Sequence, residues 1–398
     1  MITNEALRIA HEKATFLGTI DRQYDSSFGK ESGKVGNALR IRHPNKFTRT
    51  TGTRVADVQD VTSKSTTLTM ATQDHVAMRF NSAELYTDIA DFSKRYIEPA
   101  MAVLISGIES DVLQGCTKAV YNVAGTAGTS ITDLTALGSA RAKLNQGLAP
   151  KDNNRFIQMD SVTMGGLVNG LKGLFQDSPQ IAKQYREGLI GRTAMADYYE
   201  NERLWTLTNI ADVTGTTDAA ALVTDGGSSV DMHTTVASPA VGSVFTIAGV
   251  YACHPETKAA YSSLQQFTVT ATSASAAVTV SPTIYLTGAY QNVCSSTGAA
   301  LATTDFNSKT LTFVGAASTS YVQPLMYHRD AFTFVTGDLP LMAGADRCVR
   351  KSYDGLTLRV WQDSDIRNDE QITRIDMLYG WAALRPQWAC RLVGAANS

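Results

Sequence analysis

One stretch of this chain differs sharply in composition from the residues around it. Residues 215–320 contain only two Lys or Arg and five Asp or Glu, about a third of the positions are Ser or Thr, and no helical periodicity is present. Short apolar runs such as Val244–Ile247 and Gln266–Thr270 recur instead between turn sequences. Several short strands at such spacing are typical of a small barrel or sandwich. The sequence therefore predicts an all-β domain inserted into a larger fold.

The residues before position 81 predict an arm followed by a hairpin. Residues 1–33 start with apolar residues at helical spacing and then turn polar with several Gly and Ser, which favours an arm rather than a domain. In residues 34–80 apolar and polar residues alternate, for example around Leu39 and Ile41, which predicts a long β-hairpin. Residues 43–62, which are mostly polar, separate the two strands, and so long a loop is uncommon in a compact domain.

The charge of this N-terminal part leaves two interpretations open. Residues 1–54 carry ten Lys or Arg and five Asp or Glu, a local charge of +5 that the rest of the chain cancels. One interpretation is a solvated tail and loop. The other is an arm and a hairpin that become buried on neighbouring subunits. In the second case, removal of residues 1–33 is expected to leave the monomer folded and to impair assembly.

Residues 88–121 give the strongest helix signal of the chain. Apolar residues recur every four positions from Phe92 to Val120, and four residues advance about 400° around a helix of 3.6 residues per turn. The apolar ridge therefore winds around the axis, which favours a long spine helix that crosses a sheet. Pro99 is expected either to bend this helix or to mark its start. A second helix is predicted for Leu134–Gln146.

The remaining residues predict a mixed fold that the insertion interrupts. Residues 151–214 alternate short strands and helices, and the mixed character returns after Ser320 with alternating strands near the C-terminus. The segments on either side of the insertion are therefore expected to form one domain. The predicted fold class is α+β, and the predicted parts of the chain are residues 1–33, 34–80, 81–214, 215–320 and 321–398.

The residue types that usually carry catalysis or bind metals are scattered. The six histidines show no metal-ligand spacing, and no acid–base pair can be identified. The densest carboxylate cluster, Asp363–Glu370, lacks the sixth-position glycine of a calcium loop, which favours a solvated turn between strands. No cofactor is therefore expected. The cysteines are too far apart for a zinc or disulfide motif and are expected to be buried free thiols: Cys116, Cys253, Cys294, Cys348 and Cys390.

Charge and hydropathy exclude several classes of protein. A net charge of −2 and a pI near 6.3 do not fit a dedicated nucleic-acid-binding protein, which usually carries clustered Lys and Arg. No stretch approaches the roughly 20 apolar residues of a membrane span, and charged residues interrupt the first 19 positions where a signal peptide needs an apolar core. Folding in the cytoplasm, without membrane contact, is therefore expected.

This layout resembles the major capsid (coat) proteins of tailed double-stranded DNA bacteriophages, in the podovirus branch that carries an inserted domain. The resemblance covers nearly the whole chain, and no part of it is catalytic. The strings that carry it, of which the last two are the most specific, are Tyr199–Leu207, Val244–Tyr251, Leu264–Val269, Lys351–Leu356 and Tyr379–Pro386.

The resemblance implies an HK97-like capsid fold with an extended N-terminal arm, a long β-hairpin loop, a spine helix and an inserted β-barrel. Residues 81–214 would then hold the peripheral domain and the start of the axial domain, to which residues 321–398 return. It also implies a subunit of an icosahedral shell of hexamers and pentamers, which forms as a procapsid around a scaffolding protein. A portal protein would occupy one vertex, and the shell would expand as it encloses double-stranded DNA without sequence-specific binding.

The composition agrees with a role in self-association. Only 18% of the residues are charged, and a net charge near zero favours close contact between copies, which a soluble enzyme avoids. Arginines of the hairpin could meet carboxylates on the spine helix of a neighbouring copy, which would define the register of the contact more than its energy. The candidate contact residues are Arg40, Arg42, Arg49, Arg54, Glu98, Glu109 and Asp111.

Two other classes of function stay open at this point. The Thr/Ser-rich module also occurs in β-rich surface or secreted adhesins. An enzyme whose site has no recognisable sequence motif is the other alternative, since scattered residues can assemble in space.

Overall fold

The computed structural model of the chain describes residues 6–10, 14–22, 36, 38–53, 58–59, 61, 63–81, 96–171, 194–210, 214–218, 223–232, 239–272 and 277–395. The chain divides into two compact units. The first comprises Met1–His43, Ser65–Leu113 and Phe332–Leu384, and the second comprises Pro44–Lys64, Gln114–Ala331 and Arg385–Ser398.

Helices and strands both occur throughout the described residues. Residues 6–10 are helical, and the labelled helices are α1 (Phe16–Thr19), α2 (Glu98–Ala119), α3 (Leu134–Gln146) and α4 (Ser161–Leu171). The strands are β1 (Asp21–Arg22), β2 (Ala38–Arg42), β3 (Ser65–Asn81), β4 (Val123–Ala124), β5 (Arg155–Met159), β6 (Asp197–Glu200), β7 (Thr206–Thr208), β8 (Thr214–Thr216), β9 (Gly227–Asp231), β10 (Val244–Cys253), β11 (Ala260–Thr272), β12 (Ala277–Ile284), β13 (Val293–Cys294), β14 (Thr310–Phe313), β15 (Ser320–Val322), β16 (Leu325–His328), β17 (Phe332–Gly337), β18 (Arg347–Tyr353), β19 (Leu356–Asp365), β20 (Glu370–Ala383) and β21 (Ala389–Leu392).

Strand β20 is the centre of the sheet in the first unit. It pairs antiparallel with β17 along its C-terminal half, with β19 along its N-terminal half, and with β3 from Glu370 to Gly380. Strand β18 extends this sheet beyond β19, and β1 pairs parallel with β17. Ile375, Met377 and Tyr379 of β20 are buried, which agrees with the alternating strands predicted near the C-terminus.

The predicted hairpin is confirmed by the antiparallel pairing of β2 with β3, from Ala38 opposite Thr69 to Arg42 opposite Ser65. Within the chain it is not a free-standing extension. Strand β3 is far longer than β2, and its backbone groups beyond the hairpin pair with β20 instead of remaining without hydrogen-bond partners. The hairpin also contributes to an apolar cluster in the first unit, made by Ile41, Leu68, Met70, Val335 and Ala382.

The N-terminal residues also differ from the predicted arm. Leu7, Phe16 and Leu17 are buried, and β1 pairs with Thr333 and Phe334 of β17. The arm prediction therefore does not hold for the described residues between 6 and 22, and their removal would expose part of the core of the first unit. The apolar residues that recur here at helical spacing face the core of the first unit. Residues 23–35 lie outside the described residues.

Helix α2 corresponds to the C-terminal part of the predicted spine helix. Its α-helical part begins at Glu98, with Pro99 as the second residue, and a π-helical turn at residues 96–97 precedes it. The four-residue spacing is confirmed as a buried ridge that includes Leu104, Ile108 and Val112. Positions 88–95, where the sequence predicts an earlier start, lie outside the described residues.

The second unit contains a five-stranded sheet in the order β4-β21-β16-β5-β6. Helix α3 has the predicted bounds, and its N-cap Asp133 accepts a hydrogen bond from the Thr135 N–H at 2.9 Å. The buried face of α3, formed by Leu137, Ala140 and Leu144, belongs to the same apolar cluster as residues of this sheet.

A barrel in the second unit accounts for the Thr/Ser-rich stretch. Its strands follow the order β8-β14-β10-β11-β12-β9, and β13 pairs with β10. A bridge between Thr217 and Met232 brings the two ends of this sheet together and closes the barrel. The all-β prediction for this stretch is therefore confirmed. Four phenylalanines lie in the core of the barrel: Phe245, Phe267, Phe306 and Phe313.

Substitution of Gly380 tests how closely β20 and β3 approach each other. A Cβ atom at Gly380 would lie 2.1 Å from the Thr69 carbonyl oxygen, at the point where the β20–β3 register shifts. We expect Gly380→Ala to lower the free energy of unfolding by about 2 kcal/mol or more, measured by urea unfolding of the monomer.

Gly107→Ala is the matched control, because Gly107 lies on an exposed part of α2 with no atom within 4 Å of the added Cβ. This variant should be more stable by about 1 kcal/mol, since alanine is the better helix former. Equal stability of Gly380→Ala and the unchanged protein would contradict the close approach of the two strands.

Candidate assembly surface and its supports

The arginines expected to contact other subunits lie on the hairpin and on the segment that connects its strands. Ile41 of β2 is buried, while Arg40 and Arg42 are exposed, because successive side chains of a strand point to opposite faces. The Arg40 Nε donates to Ser65 Oγ at 2.7 Å. Arg49 is exposed in the connecting segment, and Arg54 lies outside the described residues.

The three carboxylates predicted as their partners lie in different environments. Glu109 is completely buried, which removes it from the candidate contact residues. Asp111 is exposed, and its Oδ2 accepts a hydrogen bond from the Tyr379 hydroxyl at 3.0 Å. Glu98 is half-buried in the first turn of α2, where the helix dipole favours a carboxylate. Among the described residues, no ion pair joins these carboxylates to the hairpin arginines.

Glu109 holds the N-terminal residues against α2. Its two carboxylate oxygens accept the backbone N–H groups of Thr15 at 2.9 Å and Phe16 at 3.1 Å. These N–H groups lie at the start of α1, where a helix leaves its donors without partners inside the helix. The sequence gives no signal for this contact, since the partners lie more than 90 residues apart.

Tyr379 joins β20, β3 and α2 within the first unit. Its hydroxyl lies 3.0 Å from Asp111 Oδ2 and 3.1 Å from Asp74 Oδ2, and its single O–H donates to both carboxylates as a bifurcated hydrogen bond. Burial, reinforced by these two negative charges, raises the pKa of Tyr379 far above its ordinary value. The phenol therefore remains a hydrogen-bond donor at neutral pH.

Arg391 connects several segments within the second unit, as Tyr379 does in the first. Its completely buried guanidinium donates to the carbonyl oxygens of Val120 (Nε, 2.8 Å) and Gly242 (Nη1, 2.6 Å), and to Thr268 Oγ1 (Nη2, 2.8 Å). Burial lowers the pKa of Arg391, but these oxygens supply the negative end of several dipoles and hold the cation in place of a carboxylate. The residue thereby joins the end of α2, β21 and the barrel.

Gly242 permits this arrangement because it lacks a side chain. Its φ of +96° lies in the region that favours glycine. A Cβ atom there would lie 2.4 Å from the Trp205 ring, which also faces the Arg391 guanidinium at 5.7 Å. Only glycine lets the carbonyl group approach Arg391 so closely.

Two lysines attach the connecting segment of the hairpin to the barrel within the second unit. The Lys64 ammonium donates a hydrogen bond to the Tyr285 hydroxyl, and it lies 5.0 Å from the ring centre of Tyr290. The Lys46 ammonium lies 5.8 Å from the Tyr290 ring. Such cation–π contacts contribute about 0.5–2 kcal/mol each, depending on desolvation. Sequence reasoning missed them, because pairs more than 200 residues apart leave no local pattern.

One histidine–carboxylate pair forms although the sequence identified none. His328 is buried, its Nε2 lies 3.0 Å from Asp152 Oδ1, and its Nδ1 accepts the Asp330 N–H at 3.2 Å. Both ring nitrogens are therefore engaged, and the pair fixes the ends of β5 and β16 relative to each other.

The described residues contain no group of three or more His, Cys, Asp or Glu that could hold a metal ion. In the same part of the chain, no helix is both long and apolar enough to cross a bilayer. All five thiols are free, and all but Cys348 are buried. Burial raises the pKa of Cys294 to about 11 and of Cys390 to about 12, so both thiols stay protonated at neutral pH.

Two solved structures of phage proteins match the chain at low sequence identity. A structure from Mycobacterium phage Che8 matches with a TM-score of 0.50 and 11% identity, over 95% of this chain and 90% of that one. The capsid of Ralstonia phage GP4 matches with a TM-score of 0.48 and 7% identity, over 97% and 92% of the two chains. The first likeness establishes a shared fold. No curated protein sequence matches the chain.

A family model matches almost the whole sequence, residues 22–394, and its description is "P22 coat protein - gene protein 5". The hairpin, the long helix, the α+β sheets and the inserted barrel make up an HK97-like capsid fold, so the class of protein is the major capsid protein of a tailed phage. Within that class, the chain belongs to the P22 coat protein family.

Glu109→Gln tests whether this carboxylate holds the N-terminal residues. The amide keeps the shape and one acceptor oxygen but loses the charge and the second acceptor. We expect a loss of about 1–3 kcal/mol in the free energy of unfolding and faster hydrogen exchange at the Thr15 and Phe16 amides. The control is Asp363→Asn, which neutralises an exposed carboxylate of the same unit and should leave both amides unchanged. Unchanged exchange in Glu109→Gln would contradict the assignment.

Arg391→Lys tests the buried guanidinium. Lysine has fewer donors in a different geometry, so buried carbonyl groups lose their partners, and we expect a loss of about 3 kcal/mol or more in urea unfolding. Arg141→Lys, at an exposed position of α3 in the same unit, should change stability by less than about 0.5 kcal/mol. An Arg391→Lys protein as stable as this control would argue against the network.

Proposed function

We propose that this coat protein assembles with a scaffolding protein into a procapsid, which then expands as double-stranded DNA enters through a portal vertex. Membership of the P22 coat protein family over residues 22–394 is the single observation that carries the proposal. In this proposal hexamers and pentamers of the chain form an icosahedral shell, assembly takes place in the host cytoplasm, and the finished protein resides in the virion.

The proposed role is structural and requires no catalytic residue. Shell formation depends on surfaces that bind other copies and on cores that keep those surfaces in place. A low fraction of charged residues and a net charge of −2 favour contact between copies. They also leave an enclosed genome without a dedicated basic binding site. Family membership disfavours the adhesin and enzyme alternatives.

The parts of the chain have separate tasks in this proposal. The hairpin of residues 34–80 presents Arg40, Arg42, Arg49 and Arg54 to other subunits, and the barrel of residues 215–320 stabilises the subunit and its neighbours. Residues 81–214 and 321–398 supply the peripheral and axial domains. In the N-terminal segment 1–33, Leu7, Phe16 and Leu17 are buried within the subunit, so this part of the segment contributes to the subunit core.

Expression of the chain alone, and together with the scaffolding candidate of the same phage, tests the proposal by sedimentation and negative-stain microscopy. We expect discrete megadalton shells in the co-expressed sample. The Gly380→Ala variant serves as a control for misfolding, since aggregates of a poorly folded subunit should differ in size and shape from shells. Persistent monomers in both samples would overturn the proposed function.

A further inference from the structure

The hairpin formed by β19 and β20 ends in an exposed turn that internal hydrogen bonds hold. Ile366 at its apex is 98% exposed, more than any other large apolar side chain of the described residues. Asp365 holds the turn, because its carboxylate accepts the Arg367 N–H at 2.9 Å and the Asn368 Nδ2 at 2.7 Å. An apolar side chain on a preorganised loop can bind a partner with little loss of conformational entropy.

This turn is also negatively charged. Residues 363–369 contain three aspartates and one arginine, which gives a local charge of −2. In the part of the chain that the structure describes, Asp363 and Asp365 form no ion pair. The neighbouring Glu370 is already paired with Arg79 at 3.0 Å. Next to Ile366, the turn therefore presents the carboxylates of Asp363 and Asp365, which form no ion pair with the described residues.

Strand β2 presents the complementary surface. Arg40 and Arg42 lie two residues apart and therefore point to the same face of β2, and both are exposed. Neither forms an ion pair with any described residue. The aliphatic stems of two adjacent arginines offer an apolar surface between their charges, which suits an aliphatic partner surrounded by carboxylates.

A second copy of this chain is the partner that these observations favour. Each copy carries both surfaces, and a contact between two different surfaces of identical chains repeats from copy to copy and builds rings or lattices. Two acidic turns would repel each other, which disfavours contact of the turn with its own equivalent.

We propose that the β19–β20 turn of one copy binds the Arg40 and Arg42 face of β2 in another copy. Ile366 lies between the arginine stems, and Asp363 and Asp365 pair with the guanidinium groups. This inference rests on the proposed function, because it names one contact by which the shell forms. It also replaces Glu109, which is buried, with carboxylates that a neighbouring subunit can reach.

A charge exchange tests the contact. The turn variant Asp363→Lys with Asp365→Asn changes the local charge from −2 to +1 and keeps a side-chain oxygen for the turn. The hairpin variant is Arg40→Glu with Arg42→Glu. Each variant should reduce the yield of shells at least about tenfold, because like charges then meet. The combined four-residue variant should recover most of the lost yield.

One further variant tests the apolar part of the contact, and a second serves as a control. Ile366→Ser should lower shell yield without a change in monomer stability, and Glu256→Lys, an exposed charge reversal on the barrel, should not lower it. Monomer unfolding in urea checks that every variant folds. If the unchanged chain forms shells, two results would show that this contact is wrong. One is a combined variant as impaired as the two-residue variants, and the other is a normal shell yield from both two-residue variants. If the unchanged chain forms no shells with its scaffolding protein, the proposed function itself fails.

Discussion

Backbone hydrogen bonding by β20 is the constraint on which the first unit depends. This strand has three partners, β17, β19 and β3, and each brings a different part of the chain into one sheet. The approach of β3 at Gly380 leaves no room for a side chain. Through these pairs, and through the pairing of β1 with β17, residues from the N-terminal, hairpin and C-terminal regions join one sheet. The two surfaces proposed to meet between copies both belong to strands of that sheet.

In the second unit, the inserted barrel is attached to the neighbouring segments through Arg391. A buried arginine without a carboxylate partner is costly unless several oxygens replace the lost water. Arg391 meets this condition with the carbonyl groups at the end of α2, the Gly242 carbonyl and the Thr268 hydroxyl. The energetic need to satisfy one cation thus keeps three segments together, and Gly242 is the residue that makes the approach possible.

Local sequence patterns predicted where helices and strands form better than they predicted which parts of the chain those elements pack against. Period-two alternation correctly indicated β2 and β3, four-residue spacing indicated the buried ridge of α2, and the shift in composition indicated the barrel. The same patterns could not show that β3 continues along β20 or that the residues around Phe16 are buried. Both outcomes depend on partners hundreds of residues away, and a periodic apolar face looks the same whether its partner is in the same chain or in another.

The sequence by itself determined the fold class, the inserted barrel and the family, because each depends on composition or on order along the chain. Only the tertiary structure decided which charges are available to other subunits. Glu109 and Asp111 look alike in the sequence, yet Glu109 is enclosed by the start of α1 and Asp111 is exposed. Burial and hydrogen bonding are properties of the folded chain, and they assign one carboxylate to the core and leave another at the surface.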